Sequence, residues 1–292
     1  MGIEKILLKA MNSSKITIAF LLVAIILILF LYFENNTITI NKITISSNRI
    51  PGQFNGYKIV HLSDLHGKSF GENQDKLVKK IKEAYPDLIV FTGDLVDSRR
   101  YNEKNSIGLM KQLTKIAPVY YVTGNHEWRS GRFFELQEAL MANGVKVLLN
   151  SFDKIKRGKD TIHIIGIDDP SSDYEGHRED QITKDRIEFA MAGIEKENGF
   201  TILLSHRPEK FALYSLFAID VIFTGHAHGG QIRLPLIGGL VAPHQGLFPK
   251  YTSGKYTKDS SVMVVSRGLG NSIFPQRIFN RPEIVVIKLL NK

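Results

Sequence analysis

The chain has 292 residues, enough for one large or two small domains with a substantial core, and its 43% hydrophobic content is ordinary for a globular protein. It contains no cysteine, which excludes disulfides, thiolate nucleophiles and cysteine-bound zinc, so any metal must be held by nitrogen and oxygen donors. The formal charge is +9, which favours polyanionic neighbours, but no helix-turn-helix, zinc-finger or RNA-binding aromatic pattern accompanies it, so nucleic acid is not the expected partner.

Ile16 to Phe33 runs 18 residues without a charge. As a helix it would reach about 27 Å, close to the hydrocarbon thickness of a bilayer. Apolar residues occupy every face, which argues against a helix lying in the interface. Phe30-Leu31-Tyr32-Phe33-Glu34 offers no small-residue cleavage site, which favours an uncleaved anchor over a signal peptide. Lys5, Lys9 and Lys15 precede the run, opposed only by Glu4, and the next basic residue is Lys42. By the positive-inside rule, residues 1–15 are expected in the cytoplasm, 16–33 in the membrane and the body on the far side.

Residues 34–50 alternate Thr and Ile with Asn and Lys, and read as a tether with an edge strand. Pro51-Gly52 marks the expected start of the main domain, 51–292. Apolar, β-branched runs then predict strands at 58–62, 88–92, 119–123, 145–149, 162–167, 201–204, 221–224, 262–266 and 284–290. Helical spacing predicts helices near 73–84, 104–115, 132–142, 183–193 and 208–216. Strands alternating with helices imply an α/β domain with a largely buried parallel sheet. The closing strands, with no helix between them, suggest some antiparallel pairing and hence a mixed sheet. The segment from Gly229 to Lys258 has weak periodicity; a loop of that length is expected to be functional or to form short hairpins.

Five of these strands are followed directly by side chains that bind metals. The clusters are Asp64-Leu65-His66, Gly93-Asp94, Gly124-Asn125-His126-Glu127, Ser205-His206 and Gly225-His226-Ala227-His228. Donors at the same end of successive strands converge on one point. A carboxylate such as Asp94 has two oxygens and can bridge two cations, and the Asn125 amide oxygen is a neutral hard ligand. If 225–228 is extended, His226 and His228 project to one side with Ala227 facing away. Two carboxylates, one amide and several imidazoles exceed what one tetrahedral ion needs, so a two-metal centre is expected.

Any one of these residues has an ordinary explanation. A single Asp after a strand is usually a turn former or helix cap, and His163 within a strand reads as structural. His177 reads as a surface residue. Asp97, Asp168 and Asp169 read as turn residues or as acceptors that orient ligating imidazoles. Glu127 is a weaker candidate than its neighbours. Arg207 and Arg267 read equally as phosphate contacts or as surface residues. Core packing fails as an explanation only for the five clusters taken together.

In order and spacing the five clusters resemble the successive motifs of calcineurin-like metallophosphoesterases across residues 58–228. Gly229-Gly230-Gln231-Ile232, Leu234-Pro235 and Tyr251-Thr252-Ser253-Gly254 resemble the membrane-associated phosphodiesterase branch, which includes enzymes similar to UDP-2,3-diacylglucosamine pyrophosphatases. No motif position is missing. The resemblance implies a four-layer α-β-β-α sandwich of mixed sheets, with the apolar helix added at the N-terminus. It also implies two divalent metal ions (Mn, Zn or Fe). One would be held by Asp64, His66, Asp94 and His228, and the other by Asp94, Asn125, His206 and His226. His126 would stand near the leaving-group oxygen as the catalytic residue, helping to protonate it or to stabilise its charge.

Such a pair of cations binds phosphoryl oxygens and activates a water between them for in-line attack. The expected activity is therefore hydrolysis of a phosphodiester or pyrophosphate, with the anchor directing it towards a lipid or envelope polymer. The alternatives are a UDP-2,3-diacylglucosamine pyrophosphatase-like enzyme, which requires a cytoplasmic site, a nuclease or cyclic-nucleotide phosphodiesterase, and a metal-binding envelope tether without turnover.

Overall fold

The protein is described by a computed structural model covering residues 3–173, 178–194, 199–271 and 274–292. His177 lies outside the described residues.

An apolar helix, α1 (Ile3–Asn36), leads into β1 (Thr39–Ser47). Five strands, β2 (Lys58–Leu62), β3 (Leu88–Thr92), β4 (Val119–Val122), β5 (Lys146–Val147) and β6 (Ser151–Arg157), alternate with the helices α2 (Asp75–Glu83), α3 (Glu103–Leu113), α4 (Asn125–Arg129) and α5 (Phe133–Ala142). The second half holds β7 (Asp160–Gly166), α6 (Glu179–Met191), β8 (Phe200–Leu204), α7 (Phe211–Tyr214) and β9 (Val221–Thr224). Two short ribbons follow, β10 (Arg233–Leu234) with β11 (Gly238–Gly239) and β12 (Val241–Ala242) with β13 (Gly246–Leu247). The last strands are β14 (Gly254–Lys258), β15 (Ser261–Val265) and β16 (Glu283–Asn291).

The long strands form two six-stranded sheets, ordered β1-β16-β2-β3-β4-β5 and β14-β15-β9-β8-β7-β6. Alternation along β3 explains the layering. Leu88 and Val90 join the core between the sheets, while Ile89 and Phe91 face the layer of α2, α3 and α5. In β8, Ile202 and Leu204 face the first sheet, and Leu203 packs under α6 and α7. Central strands covered on both faces need apolar residues at every position, which is why they read as unbroken apolar runs. Three cores between four layers make the α-β-β-α sandwich, with mixed pairing in both sheets.

Several elements differ from expectation. The closing strands do not pair with each other: β15 lies parallel to β9 in one sheet, while β16 lies between β1 and β2 in the other. The expected strand at 145–149 shortens to β5, and the helix expected at 208–216 is a 3-10 turn followed by the single turn of α7. β6 and β14 gave no apolar signal because each is an outer strand with polar, solvent-facing residues such as Lys154, Lys156 and Lys258. The parallel strands β2, β3 and β4 of one sheet and β7, β8, β9 and β15 of the other run the same way within their sheets. Their carboxyl ends carry the motif residues, the usual location for a site in an open α/β sheet.

Candidate metal centre

Asp64 and His66 leave β2, Asp94 leaves β3, Asn125 and His126 open α4 after β4, and His206, His226 and His228 leave β8 and β9. All eight side chains are buried, and they come together. Ligand atoms of Asp64, His66, Asp94 and His228 lie within 4.8 Å of one another, and so do those of Asp94, His206 and His226. Asp94 belongs to both groups. Its Oδ2 lies 3.3 Å from His206 Nε2 and 3.6 Å from His66 Nε2. His228 Nε2 stands 3.5 Å from Asp64 Oδ1 and 3.2 Å from His66 Nε2. His226 Nδ1 is 3.1 Å from His206 Nε2.

The backbone required for this convergence is unusual. Asp64, His66, Asp94, His226 and His228 all have left-handed φ, between 45° and 64°. Such conformations cost free energy for residues other than glycine and persist where the surroundings impose them, often at functional sites. Residues 226–228 are therefore a left-right-left turn and not the extended segment expected, with Ala227 in the right-handed helical region. The two rings still enter one site because the turn curls around it. Gly93 has φ +86°, and a Cβ there would lie 2.5 Å from the Gly124 nitrogen, so the two motif loops touch through bare backbone.

Hydrogen bonds fix the imidazoles. His206 Nδ1 meets the Thr92 carbonyl at 2.7 Å. A carbonyl only accepts, so Nδ1 carries a proton and Nε2 is the nitrogen turned towards Asp94. His126 is oriented oppositely: its Nδ1 accepts the Ser98 backbone N–H at 3.0 Å, which leaves the proton of the neutral ring on Nε2. Asp94 Oδ1 accepts the His126 backbone N–H, and the Asp64 carboxylate accepts that of His226. Asp97 accepts the Arg99 and Arg100 amides and stands 3.9 Å from His66 Nδ1. It is a turn former facing the imidazole.

Glu127 contributes more than its sequence position suggested. It is fully buried and accepts the backbone N–H groups of Asp94, Leu95, Val96 and Gly124, tying the β3 loop to the β4 loop. Burial and the Asp94 charge push its carboxyl up to about 7, against the pull of those amides. The signal available in sequence was only its place at the third position of a helix that opens at a glycine. Arg207 is neither a surface residue nor free for substrate. It is buried, and its Nε and Nη2 donate to Asp169 at 2.6 and 2.9 Å. Burial alone would raise the Asp169 carboxyl, but the Arg207 charge brings it down to about 2. Arg267 is likewise engaged, with Nη2 at 3.0 Å from Glu283. Asp168 accepts from Thr123 and Asn150 beside this pair. His244, unremarked in the sequence, places its ring 5.4 Å from that of His226.

The donor set fits divalent cations. Asn125 Oδ1 is buried without a hydrogen-bond partner among the described residues, a hard oxygen acceptor left without a proton to accept. Burial opposes charge on His206, yet the Asp94, Asp64 and Asp169 carboxylates outweigh it and raise the ring to about 10. A field that holds a proton so firmly would hold a metal cation in its place.

Comparison with known proteins agrees with this geometry. The calcineurin-like phosphoesterase pattern matches residues 57–230. The chain is 33% identical over 267 residues to the Bacillus subtilis metallophosphoesterase YkuE, covering 88% of this chain and 87% of that one. It is 32% identical over 259 residues to a zebrafish (Danio rerio) transmembrane protein with a metallophosphoesterase domain, covering 85% of this chain but only 56% of that protein. In fold it is similar to the sulfate thiohydrolase SoxB of Thermus thermophilus, with a TM-score of 0.50 at 13% identity, covering 83% of this chain and 58% of SoxB. Sandwich, strand-end donors and family pattern together define a metal-dependent phosphoester hydrolase. The chain belongs to the calcineurin-like metallophosphoesterase family.

Proposed function

We propose that the protein is a membrane-anchored, two-metal phosphodiesterase or pyrophosphatase acting on a lipid or envelope component. The observation that carries the two-metal reading is the pair of buried donor groups that share Asp94. In this assignment Asp64, His66, Asp94 and His228 hold one ion, and Asp94, Asn125, His206 and His226 hold the other. Bound there, two divalent cations would supply Lewis acidity towards the phosphoryl oxygens and an activated water. Glu127 holds the Asp94 main chain so that its carboxylate faces both groups. The Thr92 carbonyl keeps His206 Nε2 turned inward. His126 presents its Nε2–H to the departing oxygen and helps protonate it or stabilises its charge, a role worth typically about 10²–10⁴ in rate.

The substrate class is supported by α1. Ser14–Asn36 is long and apolar enough to cross a membrane, and no residue of its apolar window is buried inside the protein. We assign residues 1–15 to the cytoplasm, 16–33 to the bilayer and the catalytic body to the other side, on the strength of Lys5, Lys9 and Lys15. Protease accessibility in intact and permeabilised cells tests the orientation; a body protected until the inner leaflet is breached would reverse it. For the chemistry, Mn-loaded protein is expected to hydrolyse bis-p-nitrophenyl phosphate faster than the monoester. Stoichiometric metal binding with no turnover of any phosphoester would favour a tether.

A further inference from the structure

The last turn of α1 is fastened to the body. Glu34 is buried and accepts the Asn280 backbone N–H at 3.0 Å and Arg281 Nε at 2.7 Å. Asn35 accepts the Arg277 backbone N–H and donates to the Pro275 carbonyl, both at 2.9 Å. Gln276 reaches the Leu31 carbonyl, and the Phe279 ring packs on Phe30 at 5.4 Å. Phe30 lies inside the apolar run, three residues before its end at Phe33 and thus about 4–5 Å deeper along the helix. If α1 spans the bilayer, Phe279 is carried to the hydrocarbon boundary with it.

Phe279 is not alone there. With Leu234, Leu236 and Ile237 it lines one open depression of about 460 Å³. Leu247 and Phe248 leave the neighbouring ribbon, and Phe248 N–H bonds the Leu240 carbonyl between the two ribbons. Leu236, Ile237, Leu247, Phe248 and Phe279 are each at least 54% exposed. Exposed apolar side chains elsewhere, such as Phe134, Phe189 and Leu216, stand singly on different elements, which is ordinary for a protein surface. The rim residues differ in being grouped, and three of them, Leu236, Phe248 and Phe279, have φ of +51° to +69°. Bulky residues in left-handed turns are rare, and here the turns hold their side chains out into solvent. Lys250 stands two residues beyond the apolar tip Phe248, where a basic head can reach anionic headgroups while its stem lies along lipid.

The same loops border the metal centre. The turn joining β12 to β13 carries His244 against His226, and Asn280 Nδ2 donates to the His228 carbonyl at 2.7 Å and to the Gln231 carbonyl. We infer that Leu236, Ile237, Leu247, Phe248 and Phe279 form a lipid-facing rim that sinks into the bilayer interface beside α1 and sets the mouth of the metal centre at headgroup level. The occupant of this surface is the membrane that holds α1, so the inference rests on α1 spanning it.

The natural absence of cysteine makes the test direct. Full-length Leu22→Cys, Leu236→Cys, Phe248→Cys and Lys156→Cys proteins, each carrying one environment-sensitive fluorophore, are reconstituted in phosphatidylcholine–phosphatidylglycerol vesicles. Lys156 is exposed on β6 and pairs with Thr161, at the end of β7 away from the site. Retained hydrolysis of bis-p-nitrophenyl phosphate verifies folding. Positions 22, 236 and 248 are expected to be quenched several-fold more by lipid-borne nitroxide than position 156, which aqueous iodide should quench instead. Iodide quenching at 236 and 248 equal to that at 156, with 22 still lipid-quenched, would overturn the rim while leaving the anchor intact. Iodide quenching at 22 would overturn the anchor itself, and the rim with it.

Discussion

The two sheets build the candidate metal centre by different means. Donors from the first sheet, Asp64, His66, Asp94 and Asn125, sit on loops knit together through backbone hydrogen bonds, with Glu127 collecting four amides. Donors from the second sheet, His206, His226 and His228, stand beside a buried ion pair, Arg207–Asp169, and on a turn braced from outside by Asn280. One half is thus held by a carboxylate that gathers main chain, the other by charge pairing and a side-chain strut. A gathered backbone fixes loop shape directly, whereas a buried pair is only as good as both of its partners.

Asp94 is where the halves meet, and changing it should erase the contrast. Asp94→Asn is expected to reduce phosphodiester hydrolysis to background and to lower bound metal at both positions; wild-type activity would sink the shared-ligand assignment. His126→Ala should cost about 10²–10⁴ on an alkyl diester but far less on a p-nitrophenyl ester, whose leaving group needs no proton. Equal losses on both substrates would deny His126 the acid role.

Next come the supports, which sharpen the comparison. Asp169→Asn leaves Arg207 buried without its carboxylate, and a loss of roughly 3–5 kcal/mol is expected in chemical denaturation. Glu127→Ala strips four buried amides of their acceptor, at about 1–3 kcal/mol for each group left unsatisfied after relaxation. It should also weaken metal binding about 10–100-fold through Asp94, as loss of an orienting partner does. If Asp169→Asn releases metal as readily as Glu127→Ala, the two halves are not braced differently.

The smallest effect concerns His61, between the sheets, where Nε2 meets Thr92 Oγ1 at 2.8 Å. Burial lowers this ring from 6.5 to about 3. The unfolded chain therefore binds the extra proton first, so stability is full above pH 6.5 and falls as pH drops towards 3. His61→Gln, unable to titrate, should show a shallower decline in urea midpoint over that range; an unchanged slope would remove His61 from the acid response.

The central strands, and the clustering of the candidate donors after them, are legible because each strand is buried on both faces and each candidate follows at once. Local pattern carries that much. It does not say which of two sheets a strand joins, so β15 and β16 looked like partners although they lie in different layers. Nor does it reveal a left-handed turn at His226 and His228, whose residue types would equally suit a strand. Local pattern does not single out Glu127, because it accepts from main-chain amides of residues 94–96, more than 30 positions away. The grip of Asn280 on both Glu34 and His228 joins segments that only the folded chain brings together.

The place of β16 bears on how the protein is made. Residues 283–291 lie between β1, which emerges directly after the apolar helix, and β2. The first sheet cannot close until that stretch has been synthesised, so β1 must wait unpaired while more than two hundred residues follow it. Under the proposed anchoring the helix would insert before the domain is complete, and an edge left open for most of translation is a point where chaperone protection would matter.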